Sequence, residues 1–254
     1  MESKVFDPKD LSISIVSHGQ GHRVRNLLLD LQPLMQNGSK VLLTINIPEN
    51  EQYLQDLPCQ PEVIRNSCIK GFGENHNFAF SKVCRPWFAV LNPDIRLDNQ
   101  IFKYLLTSIS CQHIGVIAPS VDGPDGRKVV SARHYPTKLR IIYRVVNRIF
   151  GLKEKIDYQI NKNEVISVDW ISGCFMLFSS NSFQLIGGFD TRYFMYLEDA
   201  DICYRLRLAG FNILLFTQKS IIHEGQYASR SHLRYFYWHL KSLNYFIKNN
   251  YYFR

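Results

Sequence analysis

Three carboxylates stand within four residues at Glu198-Asp199-Ala200-Asp201. Crowded like charges cost stability unless a cation, a helix N-terminus or a basic partner offsets them. Asp201 is four residues before Arg205, so the two can pair on one helix face. Glu198 and Asp199 are left at the helix start, where a carboxylate facing a cleft could act as a general base. An acidic helix terminus favoured only by the helix dipole explains the same residues equally well. A second acidic position is Asp94, in Asn92-Pro93-Asp94 after the apolar run WFAVL. A carboxylate at the carboxyl end of a buried strand can hold Mg²⁺ or Mn²⁺, which prefer oxygen ligands shared with phosphates. The tripeptide by itself reads more simply as a turn in which Asp94 caps the next helix. A third position is His223, in Ile221-Ile222-His223-Glu224-Gly225. Such a histidine becomes a ligand only if a second one meets it in space.

The elements around these residues read as an α/β chain. Residues 11–17 (LSISIVS) form a β-branched run stopped at His18-Gly19, and residues 24–35 carry apolar side chains at helical spacing before Asn37-Gly38. Residues 41–47 (VLLTINI) form a second strand closed by Pro48, which makes a parallel βαβ unit. Further strands are expected at 87–91 and 114–118, on either side of Gly173 within 165–178, and at 211–216. Helices are expected over 199–209 and from Ser229 onward. No repeat or low-complexity linker divides the 254 residues.

Several chemistries find no support. The Gly71–Asn77 segment has neither the GxGxxG nor the Walker spacing, and no GxSxG elbow or HExxH helix occurs. Lys and Arg exceed Asp and Glu by 30 to 22, a formal charge of +8 that suits phosphorylated substrates, an anionic membrane or nucleic acid. Nucleic acid is the poorest fit, because no recognition motif is present and the acidic cluster would repel a backbone. The six cysteines form no C-x-x-C pair, and the polar start MESKVFDPKD is unlike a secretory leader, so reduced thiols in the cytoplasm are expected. No apolar run reaches the roughly 20 residues of a membrane span.

The ordered set of segments resembles the family 2 inverting glycosyltransferases of the GT-A fold. It comprises SIVSHG, Gly71-Phe72-Gly73 with Asn77, Leu91-Asn92-Pro93-Asp94, Trp170-Ile171-Ser172-Gly173, Gly187-Gly188-Phe189-Asp190, Phe194 to Asp201, and His223. The stretch from VDWISG to RLAGF and the later Trp238-His239-Leu240-Lys241-Ser242 are most similar to dTDP-rhamnose-dependent rhamnosyltransferases of O-antigen and cell-wall assembly. This resemblance implies a mostly parallel sheet flanked by helices over residues 1–228, with a basic, aromatic helical segment over 229–254. It implies a Mg²⁺ or Mn²⁺ ion at Asp94 and His223, Asp199 as base, and Glu198 beside it on the acceptor side. Ser17, His18, Asn46, Gly73, Asn77 and Asn92 would meet the nucleotide sugar, and Trp170 and Gly173 the acceptor. Asn92 stands where the metal motif often begins with aspartate, and Ile45 replaces a further aspartate before Asn46.

The acceptor expected from the resemblance is a glycan on a polyprenyl diphosphate, N-acetylglucosamine being its first sugar. Residues 139–150 (LRIIYRVVNRIF) place Arg140, Arg144 and Arg148 four apart, facing a membrane surface, phosphates or solvent. The tail, with Trp238 and Lys241, suits an anionic membrane surface on the cytoplasmic side. A homodimer is compatible with all of this.

Overall fold

A computed structural model describes residues 6–109, 113–137, 139–141, 143, 147, 157–158, 164–225 and 233–249. Arg144 and Arg148 of the expected arginine stripe lie outside the described residues.

The chain begins with β1 (Leu11–Ser17), α1 (Gly21–Gln36), β2 (Lys40–Ile45) and β3 (Glu62–Arg65). Then follow α2 (Phe72–Phe80), β4 (Trp87–Leu91), β5 (Ile95–Arg96) and α3 (Ile101–Thr107). The middle holds β6 (Ile114–Asp122), β7 (Lys128–Val129), β8 (Ala132–Arg133), β9 (Val165–Ser167), β10 (Trp170–Ile171) and β11 (Phe175–Ser179). The chain continues through α4 (Ser180–Leu185), α5 (Glu198–Leu208), β12 (Asn212–His223) and α6 (Leu233–Asn249).

Ten strands form one mixed sheet with the order β3-β2-β1-β4-β11-β6-β12-β5, β7 and β9 joining at the side. β3, β2, β1 and β4 run parallel, and β6 runs parallel to β12. β1, β4 and β11 bury nearly every residue because helices cover both sheet faces. In α1, Val24, Leu27, Leu28, Leu31 and Leu34 recur at helical spacing and turn one stripe to that sheet. The helix stops where Gly38 takes a φ of 97°.

This topology makes a switch point. β2 lies on one side of β1 and β4 on the other, so a crevice opens at their carboxyl ends, at His18, Asn46 and Asn92. β12 is longer than its apolar run suggests. A register shift between Phe216 and Ser220 lets it continue, and its end pairs antiparallel with β5, His223 opposite Ile95. His223 is thus the last residue of a strand rather than part of the loop beyond it.

The tail helix packs against the rest of the chain. Phe246 is fully buried with Tyr135, Tyr193, Leu197, Ala200 and Tyr204 in a second, smaller core. No helix among the described residues is long and apolar enough to cross a membrane.

Candidate active site

A cavity of about 710 Å³ occupies the crevice. That is within the size of small-molecule sites. His18, Asn46, Asn92 and Asp94 line it from the strand ends, and Gly173, Glu198, Asp199 and Trp238 from the other wall. Eight residues expected from the sequence are thus brought together.

Asp199 is fixed by backbone. Gly173 donates its N–H to Oδ2 at 3.0 Å and Ala200 donates to Oδ1 at 2.8 Å. Burial pushes the Asp199 carboxyl up to about 6, and these N–H groups with the charge of Arg133 pull against that rise. Burial, then the adjacent Asp199, drives Glu198 well above the usual carboxylate range. Glu198 Oε2 is buried without a hydrogen-bond partner. Asp201 is differently placed: Arg205 Nε donates to it at 2.7 Å, and it lies off the cavity.

The turn entering α5 is strained. Tyr196 and Leu197 adopt φ values of 72° and 65°, left-handed backbone that costs non-glycine residues ~1–3 kcal/mol each. Contacts from both sides hold it. Phe72 donates its N–H to the Phe194 carbonyl at 3.0 Å, and Ser242 of α6 donates its hydroxyl to the Met195 carbonyl at 2.9 Å. Gly71 is needed here, since a Cβ would meet the Phe194 carbonyl oxygen at 2.9 Å. Trp238 stacks on Phe194 with centroids 4.8 Å apart, and Tyr235 joins it at the cavity wall.

His223 Nε2 is 3.2 Å from Asp94 Oδ1. Glu224 donates its N–H to the Asp94 carbonyl at 2.9 Å, which continues the β12–β5 ladder and fixes the pair. Burial raises the Asp94 carboxyl, but the hydrogen bond and charge of His223, with Arg23 nearby, outweigh it and hold Asp94 below its ordinary value. One carboxylate and one imidazole suit Mg²⁺ or Mn²⁺ when water and phosphate oxygens complete the shell. Among the described residues no cluster of three or more His, Cys, Asp or Glu forms a closed protein cage. Asp94 and His223 would fit two positions of an ion's shell.

Other expected residues lie outside the cavity lining. Ser17 donates its hydroxyl to Glu49 at 2.7 Å. Asn77 donates to the Phe189 carbonyl at 2.8 Å and accepts the Phe189 N–H at 2.9 Å, a clasp that holds the Gly187-Gly188 turn. Gly73 packs against Phe189, where a Cβ would come within 2.5 Å of its Cβ. Trp170 donates its indole N–H to the His134 carbonyl at 3.1 Å and packs on the core. Lys241 is exposed on α6, and Arg140 is 3.9 Å from Asp157.

Asn46 is at the wall but fully engaged. Its Oδ1 accepts from Asn66 and the Lys70 N–H, and its Nδ2 donates to the Lys70 carbonyl and reaches His18 Nδ1. It builds the loop before Gly71. Sequence reasoning missed Gln20, Lys70, Phe72, Tyr196 and Tyr235, which also line the cavity. Phe72 and Tyr196 fall within segments that carry the resemblance, and the others stand within three residues of positions already singled out. Cys174 lines it too, but burial pushes its thiol up to about 12, which removes it as a nucleophile.

Comparison with known proteins shows what the chain is similar to. The chain is 28% identical over 248 residues to rhamnosyltransferase WbbL of Escherichia coli, covering 91% of this chain and 89% of that one. It is 30% identical over 169 residues to an N-acetylglucosaminyl-diphospho-decaprenol L-rhamnosyltransferase of Mycobacterium tuberculosis, covering 65% of this chain and 55% of the relative. The crystal structure of GalNAc-T7 with UDP, GalNAc and Mn²⁺ superposes with a TM-score of 0.61 at 14% identity, covering 84% of this chain and 43% of that chain. The chain has the GT-A fold. No family model matches it. This GT-A chain spans about half the length of the mycobacterial relative and less than half of GalNAc-T7.

Proposed function

We propose that the protein is an inverting glycosyltransferase that moves L-rhamnose from dTDP-rhamnose to a hydroxyl of N-acetylglucosamine carried on a polyprenyl diphosphate, in bacterial surface polysaccharide synthesis. The observation that carries this reading is that Asp199 and Asp94 line one cavity, the first held by backbone N–H groups and the second paired with His223. The rhamnosyltransferase relatives supply the choice of sugar and acceptor.

The roles follow from the chemistry. Asp94 and His223 hold a Mg²⁺ or Mn²⁺ ion, which when bound offsets the charge developing on the leaving diphosphate. Asp199 takes the proton of the acceptor hydroxyl as that oxygen attacks the anomeric carbon from the face opposite the diphosphate. Its raised pKa keeps it basic enough to take that proton yet ionised near neutrality. One displacement inverts the anomeric centre and needs no covalent enzyme intermediate. Glu198 shapes the acceptor side, and the rings of Phe194, Tyr235 and Trp238 offer an apolar wall to the acceptor sugar.

The outer face of α6 exposes Phe236, Tyr237, Leu240 and Lys248 beside Lys241. A basic helix face with aromatic side chains suits the anionic cytoplasmic surface of the membrane, where such an acceptor is embedded. A panel of nucleotide sugars, tested against synthetic polyprenyl-diphosphate-linked N-acetylglucosamine with and without EDTA, tests the whole reading. Rhamnosyl transfer with inverted stereochemistry supports it. Transfer of galactose or a furanose in its place keeps the reaction and replaces the donor. Binding of nucleotide sugar without release of nucleoside diphosphate refutes it.

A further inference from the structure

Asp94 has a basic side chain on each oxygen. His223 is on Oδ1, and Arg23 Nη1 is 3.8 Å from Oδ2. Arg23 comes from the first turn of α1, at the carboxyl end of β1, where its N–H is tied to the Gln20 carbonyl at 2.9 Å. That Nη1 is buried, yet no hydrogen bond satisfies it. At 3.8 Å the contact with Asp94 is an ion pair rather than a hydrogen bond. A guanidinium stays protonated and has donors in a planar fork that matches phosphate oxygens. Arg23 is therefore charged, close to the candidate metal site, and incompletely satisfied.

The local charge sharpens the point. Asn92 is neutral where a second carboxylate would bring another negative charge, so Asp94 is the one acidic side chain of its tripeptide. Asp30, reached from the same helix, is consumed by Arg96, which grips both its oxygens at 2.7 Å. With Arg23 in place, the single negative charge of Asp94 is already cancelled. A dication arriving alone meets a carboxylate matched by a fixed positive charge. A diphosphate changes this balance, because its oxygens can serve the guanidinium and the ion together.

We propose that Arg23 makes divalent-cation binding at Asp94 conditional on the nucleoside diphosphate. Without the diphosphate, Arg23 occupies the side of Asp94 that a dication needs. With it, the guanidinium turns to phosphate oxygens and Asp94 is released to the ion. The inference rests on the glycosyltransferase reading only in taking a nucleoside diphosphate as the ligand. Linkage then requires each ligand to tighten the other by the same factor.

The test measures Mn²⁺ binding by the loss of the free-ion paramagnetic resonance signal, with and without thymidine diphosphate. Full-length wild type, Arg23→Gln and Arg23→Lys are compared, each first shown by circular dichroism to be folded. Wild type should bind Mn²⁺ at least tenfold more tightly when thymidine diphosphate is present. Arg23→Gln should bind Mn²⁺ alone about tenfold more tightly than wild type, about 1.4 kcal/mol, and lose most of the coupling. Arg23→Lys should behave as wild type. Unchanged Mn²⁺ affinity in Arg23→Gln, or undiminished coupling, overturns the proposal. Should no variant bind thymidine diphosphate, the nucleotide-sugar reading fails, while Mn²⁺ measured alone still decides whether Arg23 opposes the ion.

Discussion

Gly173 donates its backbone N–H to Asp199 Oδ2 at 3.0 Å, across 26 residues of chain. A backbone donor cannot rotate away, so the carboxylate is aimed by the fold and not by a neighbouring side chain. Asp199→Asn should lower transfer by roughly 10²–10⁴-fold with donor affinity unchanged. Product formation and nucleotide-sugar titration measure the two. Retained transfer would remove Asp199 as the base.

As the proposed base, Asp199 with its raised carboxyl predicts a pH profile. Asp199 must be ionised to accept a proton, so kcat/KM should rise with pH through about 6 and level off above it. Loss of that rising limb in a variant that still turns over slowly ties the limb to Asp199.

The same acidic pair affects stability. A carboxyl whose folded pKa lies above its unfolded value favours the fold when protonated, and that stability is lost as pH rises through the folded pKa. For Asp199 the window runs from the model-peptide value of 3.8 to about 6, and Glu198 is displaced in the same direction. Glu198→Gln removes one of the two charges. Its Tm should gain on wild type as pH rises through that window. A Tm difference that stays flat with pH would show that the pair is not destabilising.

Asn77 tests a resemblance against geometry. Its side chain both donates to and accepts from Phe189. Asn77→Ala should cost about 2 kcal/mol in urea unfolding and leave donor affinity intact in the folded fraction. A selective loss of donor binding at unchanged stability would return Asn77 to the nucleotide site.

Trp238 and the outer face of α6 are expected to serve different steps. Trp238→Ala should raise the KM for a short-chain, water-soluble acceptor about tenfold and leave vesicle binding unaltered. Replacing Phe236, Tyr237 and Leu240 together by Ser should do the reverse in vesicle flotation. If Trp238→Ala weakens flotation alone, the ring belongs to the membrane surface.

Much of this was legible where one physical cause dominates. β4 and the start of β6 are continuous apolar runs, and β1 is buried along its length, because both sheet faces are covered, and the pairing of Asp201 with Arg205 follows from helical spacing. The rest depends on tertiary context. β12 runs on through the polar residues Thr217 to Ser220 because β6 pairs with it again after a shift in register, and no local pattern announces that. The meeting of His223 with Asp94 across 129 residues follows from that extension and from the two-residue strand β5. The left-handed Tyr196 and Leu197 contradict their own preference and persist because α2 and α6 grip the turn from either side. Trp170 and Trp238 were separable only by what they touch.

The grip of α6 on the Met195 carbonyl makes this domain poorly modular. A polypeptide cut at residue 228 would bare Tyr193, Leu197 and Tyr204, free the turn that leads into Asp199, and fail even with an acceptor that carries no lipid. Chimeras that exchange tails between related enzymes, meant to relocate the catalyst, would instead alter its active site.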